Sequence, residues 1–194
     1  MPIRQPTLTE QARRTQLIGV TISLVARHGY PGTSLARIAE AAGISKAAVL
    51  YHFPSKDAVV RAAYASVLDG VVARVGAAVE PLAGAAALEA YIRSLVAYLR
   101  ENPDHTRMII EGLTADADVT DTPHSPGRTE SVAALVAAAR DAGDYRSDVD
   151  PQVTAVIING ALDAIVTVSL TDPAFDTARA ADELITMLGR AWGR

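Results

Sequence analysis

The chain has 194 residues, a formal net charge of −4 and no cysteine, and 49% of its residues are hydrophobic. The length suits one domain of ordinary size with a smaller one beside it. The missing thiols exclude a disulfide framework and a thiolate metal site. The apolar content is mostly Ala, Val and Leu, with few aromatics. Ala and Leu are strong helix formers, and long alternating runs are absent, so an all-α chain is expected.

The first helix is predicted over 8–28, with Leu17, Val20, Ile22, Leu24 and Val25 on one stripe. Thr9 is its expected N-cap, and Gly29 its stop, followed by a turn at Pro31 and Gly32. Thr33 or Ser34 opens a second helix that ends at Gly43, and Ser45 caps a third that runs to about His52. A long amphipathic helix is expected from Ser55 to about Val79. Others are expected near 86–101, 104–115, 127–142, 151–170 and 175–191, which makes about nine. The segment 115–130, with two prolines and a glycine, is the clearest loop.

Two short helices joined through a glycine form a helix-turn-helix pattern. Ile38, Ala42, Val49 and Phe53 fall on the inward side. Ala39 must be small where the helices cross. Gly43 permits the positive φ of the turn, and Ile44 plugs it. Ser45, Lys46, Ala47, Ala48, Tyr51 and His52 lie on the outward side. Small residues there would let the helix sink into a major groove. Lys46 would reach a base edge or a phosphate. Tyr51, His52 and Lys56 would hold flanking phosphates, which position but do not specify. Thr33 and Ser34 would offer amides to another phosphate. Each has a plainer role open to it: Tyr51 packing on the first helix, His52 half-buried, Lys56 solvated. Residues 1–62 carry eight basic side chains against three acidic ones, while the rest of the chain is acidic. That distribution suits a basic face for a polyanion despite the negative total.

The stretch "YPGTSLARIAEAAGISKAAVLYHFPSKDAVVRA", residues 30–62, resembles the DNA-binding signature of the tetracycline-repressor (TetR) family of bacterial transcriptional regulators. The matching elements are Gly32-Thr33-Ser34, Ile38-Ala39, Ala42 to Lys46, Tyr51-His52-Phe53 and Ser55-Lys56-Asp57. The resemblance implies a helix-turn-helix DNA-binding domain over 1–55. A long helix would join it to a ligand-binding and dimerisation domain over 56–194. It also implies a homodimer on a roughly palindromic double-stranded operator, most often as a repressor released by a small molecule. Many members carry threonine at the position of Ala48 and tyrosine at that of Leu50. Their loss here shifts expected base reading toward Lys46 and Arg37.

The predicted 151–170 helix is apolar on nearly all sides, too much so for a lone outer helix. With the last helix it could form a four-helix dimer interface through Ala155, Ile158, Leu162, Ile165, Leu184, Met187 and Leu188. The alternative is the core of a monomer. Polar groups on apolar helices are candidates for an effector site: Tyr91, Tyr98, Arg107, Glu111, Asn159, Asp163 and Thr167, with Met108 beside them. Arg107 and Glu111 could equally form an intrahelical ion pair, and Asn159 and Asp163 could bond across a dimer interface. A largely apolar effector is expected, with no cofactor or metal.

An enzyme is the first rival reading, but the four histidines show no metal spacing, and no phosphate loop or nucleophile motif appears. A helical protein-interaction module is the second, and it leaves the groove-sized face at 45–56 unexplained. No signal-peptide pattern or run of about 18 apolar residues is evident, so a cytoplasmic protein without a membrane span is expected.

Overall fold

The computed structural model describes residues 7–114 and 126–193. Among the described residues the elements are α1 (Leu8–Gly32), α2 (Leu35–Ala42), α3 (Lys46–His52), α4 (Lys56–Val79), α5 (Gly84–Glu101), α6 (Pro103–Thr114), α7 (Pro126–Asp141), α8 (Pro151–Thr171) and α9 (Thr177–Trp192), and no strand forms. The fold is all-α, as composition implies. Of the expected loop at 115–130, residues 115–125 lie outside what is described, and 126–130 are helical, the start of α7.

Local chemistry sets most helix ends. Thr7, not Thr9, caps α1: its hydroxyl accepts from Glu10 N–H, and Glu10 accepts from Thr7 N–H at 2.7 Å. The capping box satisfies two free amides at this helix end reciprocally. Gly29, at φ 67 and ψ 172, breaks α1 where the sequence placed its end, and one more helical turn follows as far as Gly32. Asp150 and Asp176 cap α8 and α9. The residue before α5 is Ala83, which has no capping atom. There the carboxylate of Asp144 accepts from Ala85 N–H at 2.8 Å, a cap supplied from 59 residues away.

The helices pack into two compact units. The first runs up to Leu68 and takes in a segment beginning at Arg107, and the second holds Asp69–Thr106 and the C-terminal part of the chain. The expected boundary at 55/56 is displaced by packing. Val59 on the first half of α4 is buried with Leu17, Ile38, Val49 and Phe53. Val60, Ala63 and Val67 are buried with Ile22 and Val25 of α1 and Met108 of α6. In the second unit the core is built from α5, α7, α8 and α9, with Leu88, Ile92, Val132, Val136, Ile158 and Leu162 fully enclosed.

The α8 register corrects the expected dimer face. Ala155, Ile158, Leu162, Leu184 and Leu188 are all buried within the protomer, and Ile165 is partly covered by the same core. Only Met187 of that set is open, at 64% exposure. The open apolar side of α8 instead carries Val153, Val156, Ile157 and Val168, with Gly160 and Ala164 between them. These positions recur at three and four residues and make one continuous stripe. The helix thus has two apolar stripes, and the protomer uses one.

By length and composition, α4 and α8 are long and apolar enough to cross a membrane, contrary to the sequence expectation. Asp69 and Arg74 sit within α4, and Asp163 of α8 is ion-paired with Arg128 of α7. Ionised groups mid-helix are costly in a bilayer.

Candidate nucleic-acid interface and effector site

In the first unit, Ser34 caps α2 by accepting from Arg37 N–H, and α2 ends at Gly43 in the left-handed region, at φ 67 and ψ 33. Gly43 N–H donates to Glu40 O at 3.1 Å and Ile44 N–H to Ala39 O at 3.0 Å. This pair of reversed bonds satisfies the last carbonyls and turns the chain sharply. Ser45 then caps α3, accepting from Ala48 N–H at 3.1 Å. Ile38, Ala39, Ala42, Val49 and Phe53 are buried, as their spacing required.

The opposite side of α3 is open. Ser45, Lys46, Ala47, Leu50 and Tyr51 are exposed, and Ala48 and His52 are half-buried. Ser34 and Arg37 of the α2 end are exposed as well. Thr33 is not: it is buried, its N–H donates to Tyr30 O, and its hydroxyl donates to Gly29 O at 2.9 Å. It closes the turn before α2, so its expected phosphate contact is withdrawn.

Several outward side chains are already positioned. Tyr51 donates its hydroxyl to Glu10 of α1 at 2.9 Å while remaining 71% exposed, and its ring meets His52 edge-on. Arg14 donates to the His52 carbonyl and lies 4.1 Å over the Phe53 ring. Arg37 donates to the Gly32 carbonyl. Lys56 donates to Tyr30 O at 2.6 Å and lies 3.7 Å over the Tyr30 ring. Tyr30 in turn donates its hydroxyl to Asp57. That bond, with burial and the Asp57 charge, holds the Tyr30 pKa above its ordinary value, only partly offset by Arg61. Arg14 and Tyr30 were missed in the sequence, because each acts through partners 26 or more residues away.

The expected effector residues divide between the units. Arg107, Met108 and Glu111 belong to the first, and Tyr91, Tyr98, Asn159, Asp163 and Thr167 to the second. Met108 is core, only 2% exposed. Glu111 accepts from Tyr30 N–H at 3.2 Å, beside the Gly29 break. It caps the one-turn continuation of α1 with a side chain from α6. Replacing Glu111 with alanine is expected to cost about 1–2 kcal/mol, the range for a lost cap. Thermal melts should show it as a fall of several degrees, with Glu111→Gln recovering part. An unchanged melting point for Glu111→Ala would remove this role.

In the second unit, Tyr98 and His105 Nδ1 hydrogen-bond at 2.8 Å, and burial raises the Tyr98 pKa. Thr167 is exposed and donates back to Asp163 O at 2.7 Å within its own helix. Asp163 accepts from Arg128 Nη1 of α7 at 2.7 Å. Burial works against the Arg128 charge, but Tyr91 and Asp163 outweigh it and hold its pKa above the ordinary value. Arg128 was missed because it falls in the segment read as loop. The sequence signal was its place in the first turn of a helix opened by Pro126 and Gly127. Asn159, one turn before Asp163, is 5% exposed, which places it inside the protomer rather than across a dimer interface.

A two-helix unit with a tight left-handed turn, mutual core residues and an open, small-residued second helix defines a helix-turn-helix protein. Residues 17–63 match the family described as bacterial regulatory proteins, tetR family. The HTH-type transcriptional regulator RutR of Escherichia coli (strain K12) is 34% identical over 106 residues, 55% of this chain. The chain spans about half the length of the curated relatives it matches. The fatty acid degradation regulator FadR of Bacillus halodurans shares the fold at TM-score 0.80 and 16% identity, over 95% of this chain and 96% of its own. The Bacillus subtilis regulator FadR, solved in complex with stearoyl-CoA, superposes at TM-score 0.76 and 16% identity, over 90% of this chain and 96% of its own.

Proposed function

We propose that this protein is a DNA-binding transcriptional regulator, a repressor released from its operator by a small molecule. The observation that carries the reading is the open face of α3, with Lys46 in its first turn and Ala47 and Ala48 leaving room for approach. A major groove admits one such helix. Lys46 and Arg37 are the base-reading side chains of this scheme. Ser34, Ser45, Tyr51, His52 and Lys56 hold phosphates and set the docking angle. Tyr51 and Lys56 start from fixed positions against α1, so they lose less side-chain freedom on binding than solvated ones.

The protein acts in the cytoplasm as a homodimer, two copies meeting through the open stripe of α8 and through Met187 of α9. The pairing presents two α3 helices to successive major grooves of a roughly palindromic site. Support for a small-molecule effector comes from the buried polar groups of the second unit. A regulator of the same fold bound to stearoyl-CoA supports it too. The effector acts by favouring one separation of the two α3 helices over the other, and the coupling is reciprocal.

The test is gel retardation of a fragment from the gene's own upstream region. Retention is expected to fall steeply between low and moderate salt, as counterion release requires. Lys46→Ala is expected to weaken it by about 1–3 kcal/mol per protomer, with an unchanged helical spectrum. A Lys46→Ala protein that binds as tightly as wild type would remove α3 from the groove.

A further inference from the structure

Asn159 is the one side chain whose two amide atoms, Oδ1 and Nδ2, are both buried and without a hydrogen-bond partner among the described residues. Buried polar groups are nearly always paired, so an amide unpaired on both atoms marks this position on α8. Its neighbours on the helix surface are Ala155, Ile158 and Leu162, all buried. One turn further on the same face stands Asp163, already committed to Arg128 at 2.7 Å. Tyr91 also faces that guanidinium. Arg128 and Asp163 neutralise one another.

Each part of this arrangement constrains the occupant. A balanced ion pair offers no net field to a charged ligand, and a ligand charge would have to be desolvated without compensation. Apolar flanks favour an apolar body. Asn159 offers one donor and one acceptor side by side. The group that answers both is a carboxamide or lactam edge, with its own C=O beside its own N–H. An ester or ketone answers only the Nδ2 donor and leaves Oδ1 unpaired, and sites built around buried polar groups discriminate strongly against ligands that leave them so.

We infer that Asn159 is the recognition group of the effector site, and that the effector is an uncharged molecule with a carboxamide-type edge on an apolar body. This rests on the reading of the second unit as effector-binding. Arg128, Asp163 and Tyr91 are positioning residues that form the polar wall beside it.

The test is titration calorimetry of the full chain with three probes of equal chain length: octanamide, methyl octanoate and octanoate. Octanamide is expected to bind at least tenfold tighter than either of the others. Asn159→Leu is expected to weaken octanamide at least tenfold and to erase its advantage over the ester. That variant should melt no lower than wild type, because it removes an unpaired buried group. Should it fail to fold, the ranking of the three probes on wild-type protein still decides. Equal or tighter binding of the ester or the carboxylate overturns the inference. So does no detectable octanamide binding up to its solubility limit, or an Asn159→Leu protein that keeps the amide preference. DNA retention by the same ligand-free preparation separates the two readings. Retention without octanamide binding fails this ligand chemistry alone. Loss of retention fails the regulator reading and leaves the probe ranking to be judged on its own.

Discussion

Truncating Phe53 to alanine is expected to cost about 3–5 kcal/mol, the range for a buried aromatic reduced to a methyl. Phe53 is 2% exposed and closes the helix-turn-helix core with Leu17, Ile38, Val49 and Val59. Phe53 is also the C-cap residue of α3, so losing its ring unanchors the end of the helix whose open face is proposed to enter DNA. A further loss comes from Arg14, whose guanidinium lies 4.1 Å over the ring. A small domain is stable by only about 5–15 kcal/mol in total, so the first unit should be largely lost near body temperature. Urea titration followed by helical signal should show an early transition for this unit. Amide exchange should show α1 to α3 losing protection while α5, α8 and α9 keep theirs. A midpoint indistinguishable from wild type would mean that Phe53 is not the keystone described.

The second large effect concerns α8. Val156 and Ile157 are 56% and 52% exposed, neighbours on the open stripe. Changing both to glutamate leaves the protomer core untouched, since that core uses Ala155, Ile158 and Leu162 instead. Four carboxylates would then face one another across a twofold interface. Each must be desolvated or protonated there, at a cost of several kcal/mol. Sedimentation is expected to show a dimer for wild type and a protomer for this variant, with the helical spectrum and melting of each unit kept. Operator affinity should fall by roughly a hundredfold or more, because the second half-site is no longer held at high effective concentration. Conversely, Ile158→Glu should unfold the second unit rather than dissociate the dimer. If the double glutamate variant stays dimeric, the two copies meet elsewhere.

The capping choices show how far local chemistry reaches. Ser45, Ser34 and Asp150 were legible as caps because a cap needs only a side-chain oxygen and an amide two or three residues on. Thr7 was equally legible, because the Thr7–Glu10 spacing is that of a capping box. Ala83 was not legible as a helix start at all. Its partner carboxylate, Asp144, is brought to α5 by the packing of the second unit.

The chain order of small, polar and apolar residues determined the nine helices of the described residues, the left-handed turn at Gly43, the break at Gly29 and the open face of α3. Those features depend on contacts within four or five residues, and the spacing of side chains along a helix states them directly. Tertiary structure alone decided which of the two apolar stripes of α8 was enclosed. It also decided that Glu111 caps the last turn of α1, and that Arg128 neutralises Asp163 one turn from an unpaired Asn159. Periodicity finds a stripe but not its partner. A bond spanning 35 residues, as between Arg128 and Asp163, exists only once the intervening chain has packed.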